Sequence, residues 1–134
     1  MDITVTRARL SGIQSGATSN STVRRTRVTD ATAGVVCFEA DRNILSGNAV
    51  AGCEGSGIDL LDTRANLIVE NVSNGNDEHG LALTNSDGNA VRKNSFSEND
   101  LGPSSVVDSS TNQFEGNDPG CDGEETDASP GPLV

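Results

Sequence analysis

The chain has no Trp, no Tyr and only three Phe among its 134 residues. A globular core usually draws on large side chains, so any core here must be built from smaller aliphatic ones. Apolar residues make up only 33% of the sequence. No apolar run approaches the ~18 to 20 residues that cross a bilayer as a helix, so no membrane span is expected. The opening "MDITVTRARL" has neither the basic n-region nor the apolar h-region of a signal peptide. Lysine is nearly missing. Lys93 stands beside eight Arg, against 20 Asp and Glu, for a net charge of −11. Phosphate backbones are held by clustered Lys and Arg, so nucleic acid is not an expected partner. Low lysine with excess carboxylate also fits a halophilic protein. Cys37, Cys53 and Cys121 are odd in number and form no CxxC pair, which argues against a zinc site or a disulfide framework.

Turn-forming residues are abundant instead: 15 Gly, with many Asn, Ser, Thr and Asp. They recur with one period. Asn20, Asn43, Asn66, Asn89 and Asn112 are each 23 residues apart. Asn48, Asn71, Asn94 and Asn117 keep the interval five residues later, and Gly34, Gly57 and Gly80 follow it too. Three registers with one period mark a solenoid. The copies read "GVVCFEADRNILSGNAVAGCEGS", "GIDLLDTRANLIVENVSNGNDEH" and "GLALTNSDGNAVRKNSFSENDLG". The first coil, from "GIQSGATSN", is one residue short, and the last carries Pro103 in the glycine position.

Apolar residues alternate after each Gly: Val35 and Cys37, Ile58 and Leu60, Leu81 and Leu83. Period-two alternation predicts a strand with one buried face. A second inward column is expected two residues past the first Asn, at Thr22, Leu45, Ile68, Val91 and Phe114, and a weaker third at Val50, Ser73 and Phe96. The expected fold is all-β: a parallel β-helix of about five 23-residue coils, each with three short strands. Coils ~4.8 Å apart make a rod of roughly 25 Å. Asn is expected at the corners, because it tolerates left-handed backbone and its amide can bond to its images in neighbouring coils. The sequons at Asn20 and Asn71 are read as part of these ladders rather than as glycosylation sites.

The pattern Gly-hydrophobic-x-hydrophobic followed by N-x-hydrophobic-x-x-N, in "GIDLLDTRANLIVENVSNGN" and "GLALTNSDGNAVRKNSFSEN", resembles the right-handed parallel β-helix repeats of the pectin-lyase-like superfamily. It is most similar to the NosD-like branch of periplasmic and surface proteins. The resemblance covers about residues 12 to 117. It implies the fold and an extracellular or cell-surface location, but not one function, because the scaffold serves lyases, hydrolases, epimerases, tailspikes, adhesins and metal-delivery accessories. Superfamily members usually have more coils and an N-terminal cap. Here residues 1–11 form an incomplete coil, with Ile3 and Val5 in the register of a strand. A fragment, a short member, or a subunit with its open end covered by a partner is expected, and with it self-association through that end. Residues 118–134, "DPGCDGEETDASPGPLV", read as an acidic disordered tail.

The catalytic strings of the related enzymes are missing: no Gly-His-Gly, no Arg-Ile-Lys, no Asp-Pro-His-Asp. The nearest is "EHG" around His79, which is placed in a solvated turn. The sharper feature is an outward column, Glu39, Asp62, Asn85 and Asp108, where neighbouring like charges repel by about 1 kcal/mol per pair. The next column, Asp41, Arg64 and Asp87, alternates in sign and is expected to pair. Candidate substrate-binding residues are therefore Glu39, Asp59, Asp62, Arg64, Asn85, Asp87, Arg92 and Asp108. No catalytic residue and no metal ligand is assigned. Calcium could be suggested only at "NGNDE" or "DGEETD", and neither has the spacing of a known calcium loop. Copper delivery wants soft ligands, whereas Cys37 falls in the inward column. Cys53 and Cys121 lie roughly 14 Å apart along the rod, beyond disulfide reach.

The expected function is a non-catalytic β-helix module that acts as a scaffold or binds polysaccharide weakly. The alternatives are a truncated or divergent polysaccharide lyase, hydrolase or epimerase, and a NosD-like metal-delivery accessory.

Overall fold

A computed structural model of the chain describes residues 3–6 and 11–119. These hold fourteen strands and no helix: β1 (Ile3–Thr6), β2 (Ser11–Gly16), β3 (Thr22–Arg24), β4 (Thr26–Thr29), β5 (Ala33–Phe38), β6 (Ile44–Ser46), β7 (Ala49–Ala51), β8 (Ile58–Leu61), β9 (Leu67–Val69), β10 (Val72–Asn74), β11 (His79–Thr84), β12 (Ala90–Arg92), β13 (Gly102–Val107) and β14 (Gln113–Glu115). They form three parallel sheets, each strand pairing with its image one coil away. The orders are β1-β4-β7-β10, β13-β11-β8-β5-β2 and β14-β12-β9-β6-β3. The chain is thus the expected parallel solenoid of about five coils. An isolated bridge from Ser95 to Asp118 carries the stacking to the end of the repeat. The stretch 120–134, where most of the expected acidic tail falls, lies outside the described residues.

Inside the coils run the columns that period-two alternation predicts. Val35, Ile58 and Leu81 are fully buried, as are Leu60 and Leu83 beside Cys37. Leu45, Ile68 and Val91 form the second column, and Val28, Val50, Ser73 and Phe96 the third. The aliphatic side chains are small, but each stabilises the fold by roughly 1.5–3 kcal/mol when fully buried. The repeat glycines are explained here. A Cβ on Gly57 would overlap Ser73 Oγ, and one on Gly34 would overlap Val50 Cγ1. The second sheet therefore approaches the third inward column too closely for any side chain.

The asparagines stack as ladders. Asn66 Oδ1 accepts from the Asn43 N–H at 2.7 Å, and Asn66 Nδ2 donates to Asn89 Oδ1 at 3.0 Å. Asn71 likewise accepts from the Asn48 N–H at 2.9 Å and donates to Asn94 Oδ1 at 3.0 Å. A third ladder was not foreseen. Asn76 Oδ1 accepts from the Cys53 N–H at 3.0 Å, and Asn76 Nδ2 reaches Asn99 Oδ1 at 2.9 Å. A fourth stack uses hydroxyls: the Thr63 N–H donates to Ser86 Oγ at 3.1 Å, and the Ser86 N–H to Ser109 Oγ at 2.8 Å.

Three expectations are corrected. The ladder asparagines are not the left-handed residues. Positive φ falls on the residue before each inward ladder member: Arg42 (56°), Ala65 (56°) and Thr111 (58°) in one corner, and Glu70 (57°) and Lys93 (56°) in the next. The left-handed residue turns the chain, so the following side chain points inward and bonds. Asn20 is not in the ladder. The first coil is one residue short, so the Ser21 N–H, 22 residues back, donates to Asn43 Oδ1 at 2.8 Å. Asn20 is instead an exposed left-handed corner, φ 60°, and the ladder argument against modification there does not hold. For the same reason Thr22 is exposed, and Val23 pairs with Leu45 and packs against the core.

Candidate binding groove at one corner of the solenoid

Between the second and third sheets each coil makes the same five-residue corner: "EADRN" from Glu39, "DTRAN" from Asp62, "NSDGN" from Asn85 and "DSSTN" from Asp108. The first residue is left-handed in all four, with φ of 53°, 55°, 49° and 50°. The second is buried and the third points out. That geometry sets Glu39, Asp62, Asn85 and Asp108 one above another at the strand repeat, as expected.

A shallow groove of about 310 Å³ is lined by Glu39, Asp41, Asp62, Arg64 and Asn85. Four of these five were candidates from sequence. Asp41 joins them because it occupies the adjacent outward column. The Asn85 amide donates to an Asp62 carboxylate oxygen, so one neighbouring pair in the column attracts rather than repels. The expected pairing of Asp41, Arg64 and Asp87 is not what the side chains do. Asp41 accepts the backbone N–H of Arg64 at 2.9 Å, and Asp87 accepts that of Ser110 at 2.7 Å. These carboxylates cap the next coil's backbone, because a short carboxylate side chain reaches and accepts the amide N–H of the adjacent coil, a bond that a donor-only guanidinium cannot make. The exposed Arg64 guanidinium has no carboxylate within ion-pairing distance among the described residues.

The pattern that defines the right handed beta helix region matches residues 2–118. The chain belongs to the right-handed β-helix family. No curated protein and no solved structure matches it.

The other candidates lie outside the groove lining. Asp87 and Asp108 belong to the same corner, beyond the groove lining. Arg92 lies on the outer face of β12, 3.7 Å from Glu115. Asp59 is on the outer face of β8, half-buried between the paired positions Val36 and Ala82. Burial pushes its carboxyl pKa up, and the Glu78 charge adds to that. His79 begins β11 and is half-buried, so it does not stand in a solvated turn. Burial lowers its pKa while Glu78 opposes that shift, and its backbone N–H donates to Ser56 Oγ at 3.3 Å. Cys37 is buried in the core, and its thiol pKa is pushed up to about 11, chiefly by burial and then by the Asp59 carboxylate, so it stays protonated at neutral pH. Among the described residues no three His, Cys, Asp or Glu side chains are grouped to hold a metal ion.

Proposed function

We propose that this β-helix is a non-catalytic module, working outside the cell or at its surface, that binds polysaccharide weakly along the corner groove. One observation carries the reading: Glu39, Asp41, Asp62, Arg64 and Asn85 share one groove that runs across successive coils. The strand repeat of ~4.8 Å is close to the length of a sugar ring, so successive coils can offer a polar group from the same corner to successive sugars. Carboxylates and the Asn85 amide suit hydroxyls, and the Arg64 guanidinium suits a ring oxygen or an acidic sugar. No aromatic ring lines the groove, so no stacking platform adds affinity.

Acid–base catalysis needs two titrating groups facing one substrate atom. Here Asp41 and Asp62 are engaged by donors of the adjacent coils, and the carboxyl raised by burial, Asp59, is on another face. The test is a panel of neutral and uronic-acid polysaccharides, with and without calcium, assayed for both binding and turnover. Weak binding that Arg64→Ala abolishes, without product, supports the module. Turnover lost in Asp62→Ala would replace it with the divergent-enzyme reading. Copper retained through dialysis would favour metal delivery.

A further inference from the structure

The chain holds a single Asn-Gly step, Asn74-Gly75. A glycine nitrogen is the least hindered nucleophile a backbone offers, because no Cβ shields it. Asn74 ends β10 and is half-buried. Gly75 is exposed, with φ of +68° and nothing within 4 Å of where a Cβ would stand. The ladder asparagines are placed otherwise. Asn43, Asn66 and Asn71 are buried, and the bulky Ile44, Leu67 and Val72 follow them.

Asn74 Oδ1 accepts two hydrogen bonds from the next coil, one from the Ser97 N–H at 2.7 Å and one from the Ser95 hydroxyl at 3.2 Å. Both donors favour the negative charge that gathers on this oxygen when a nitrogen adds to Cγ. The Gly75 N–H donates to the Ser97 carbonyl at 3.1 Å, and the Gly75 carbonyl accepts from the Gly52 N–H at 3.2 Å. Gly52 and Gly75 are both exposed. Local opening of such a turn costs less than unfolding of the core.

We propose that Asn74 is a site of spontaneous modification in the folded chain, closing on Gly75 to a cyclic imide that water opens to aspartate or isoaspartate. The Gly75 nitrogen leaves the Ser97 carbonyl, gives its proton to hydroxide and bonds to Asn74 Cγ. The Cγ–Nδ2 bond breaks, the nitrogen takes a proton from water, and ammonia leaves. One water then adds at either ring carbonyl and breaks its bond to the Gly75 nitrogen. Aspartate keeps an oxygen for the Ser97 N–H. Isoaspartate carries the main chain through Cβ and Cγ, one carbon longer, in a coil held to its neighbours on both sides. The Ser73 N–H bonds to the Ser95 carbonyl at 2.8 Å, just before the site, and the Gly52 N–H bonds to Gly75 just after it. The longer backbone loosens this stacking, and with it the entry of Asn76 into its ladder.

The test is to age the folded 134-residue chain in warm, mildly alkaline buffer, then digest it and map the peptides by mass spectrometry. Isoaspartate is read by methyl transfer from an L-isoaspartyl methyltransferase. Both acids are expected to accumulate at position 74 while Asn43, Asn66 and Asn71 stay amides. Gly75→Ala, which fits the space but crowds the nitrogen, should slow the conversion many-fold. Asn66→Ala lowers the stability of the whole fold from a different corner, so it should leave the rate unchanged. A rate that rises in Asn66→Ala by the factor its folding equilibrium falls places the reaction in the unfolded chain and overturns the proposal. So does an Asn74 that stays an amide throughout, and so does a conversion that Gly75→Ala leaves at its wild-type rate. Aged protein should also unfold at a lower urea concentration than Asn74→Asp. An equal midpoint, with isoaspartate present, overturns the loosening of the coil.

Discussion

Asn66 uses its whole side chain inside the solenoid, accepting from one coil and donating to the next. Replacing it by Ala strands the buried Asn43 N–H and removes a donor from Asn89. Leaving a buried group unpaired costs about 1–3 kcal/mol, so Asn66→Ala should lower stability by about that amount or somewhat more, read as a fall in the urea midpoint. Asn20→Gly should stay within ~0.5 kcal/mol of the wild type, because the position is exposed and left-handed. The contrast separates two asparagines that share one sequence interval. Glycines divide in the same manner. Gly57→Ala forces the Ser73 hydroxyl from its 2.7 Å bond to the Gly80 carbonyl and should destabilise by roughly 1–3 kcal/mol. At Gly75 nothing lies within 4 Å, but φ is +68°, so Gly75→Ala should cost ~1 kcal/mol through the backbone alone. The ladders of Asn43 and Asn48 were legible because side chain and interval repeat together. The left-handed positions before them were not, since Glu, Arg, Ala, Lys and Thr all occur there and the turn is imposed by stacking. The Asn76–Asn99 ladder was hidden because Cys53 fills its third place.

At the level of the strand, alternation was readable wherever a coil has its full length. It slipped by one residue at Thr22 and Val23, where the short first coil breaks the 23-residue count that serves the others. The inward assignment is checked in β9. Ile68 is fully buried, so Ile68→Asp places a carboxylate in the core and should abolish cooperative unfolding, whereas Asp62→Asn, at an exposed left-handed corner that Asn suits, should leave the midpoint unchanged. The outer face of β8 makes a pH prediction. Burial raises the Asp59 pKa above its unfolded value, so the folded state holds that proton more tightly. The stabilisation is fully present below the unfolded pKa and is lost as pH rises through the folded one. Asp59→Asn should therefore raise the Tm at neutral pH, have little effect in acid, and flatten the decline between. Wild-type and variant curves of the same slope would mean that the Asp59 pKa is the same in the folded and unfolded chain. The groove was only partly legible: Asp41 and Arg64 could be placed in one column, but not that Asp41 would bond to a backbone amide instead of the guanidinium.

For the whole molecule, a solenoid's stability is close to a sum over neighbouring coils, so a coil with one neighbour is held less firmly than one with two. Within the described residues the coils through Leu60 and Leu83 have a coil on each side, while β13 and β14 have none beyond them. Amide exchange in dilute solution should be slowest in β8, β9, β11 and β12 and faster toward β13 and β14, with the Asn ladders shifting the whole gradient up but not levelling it.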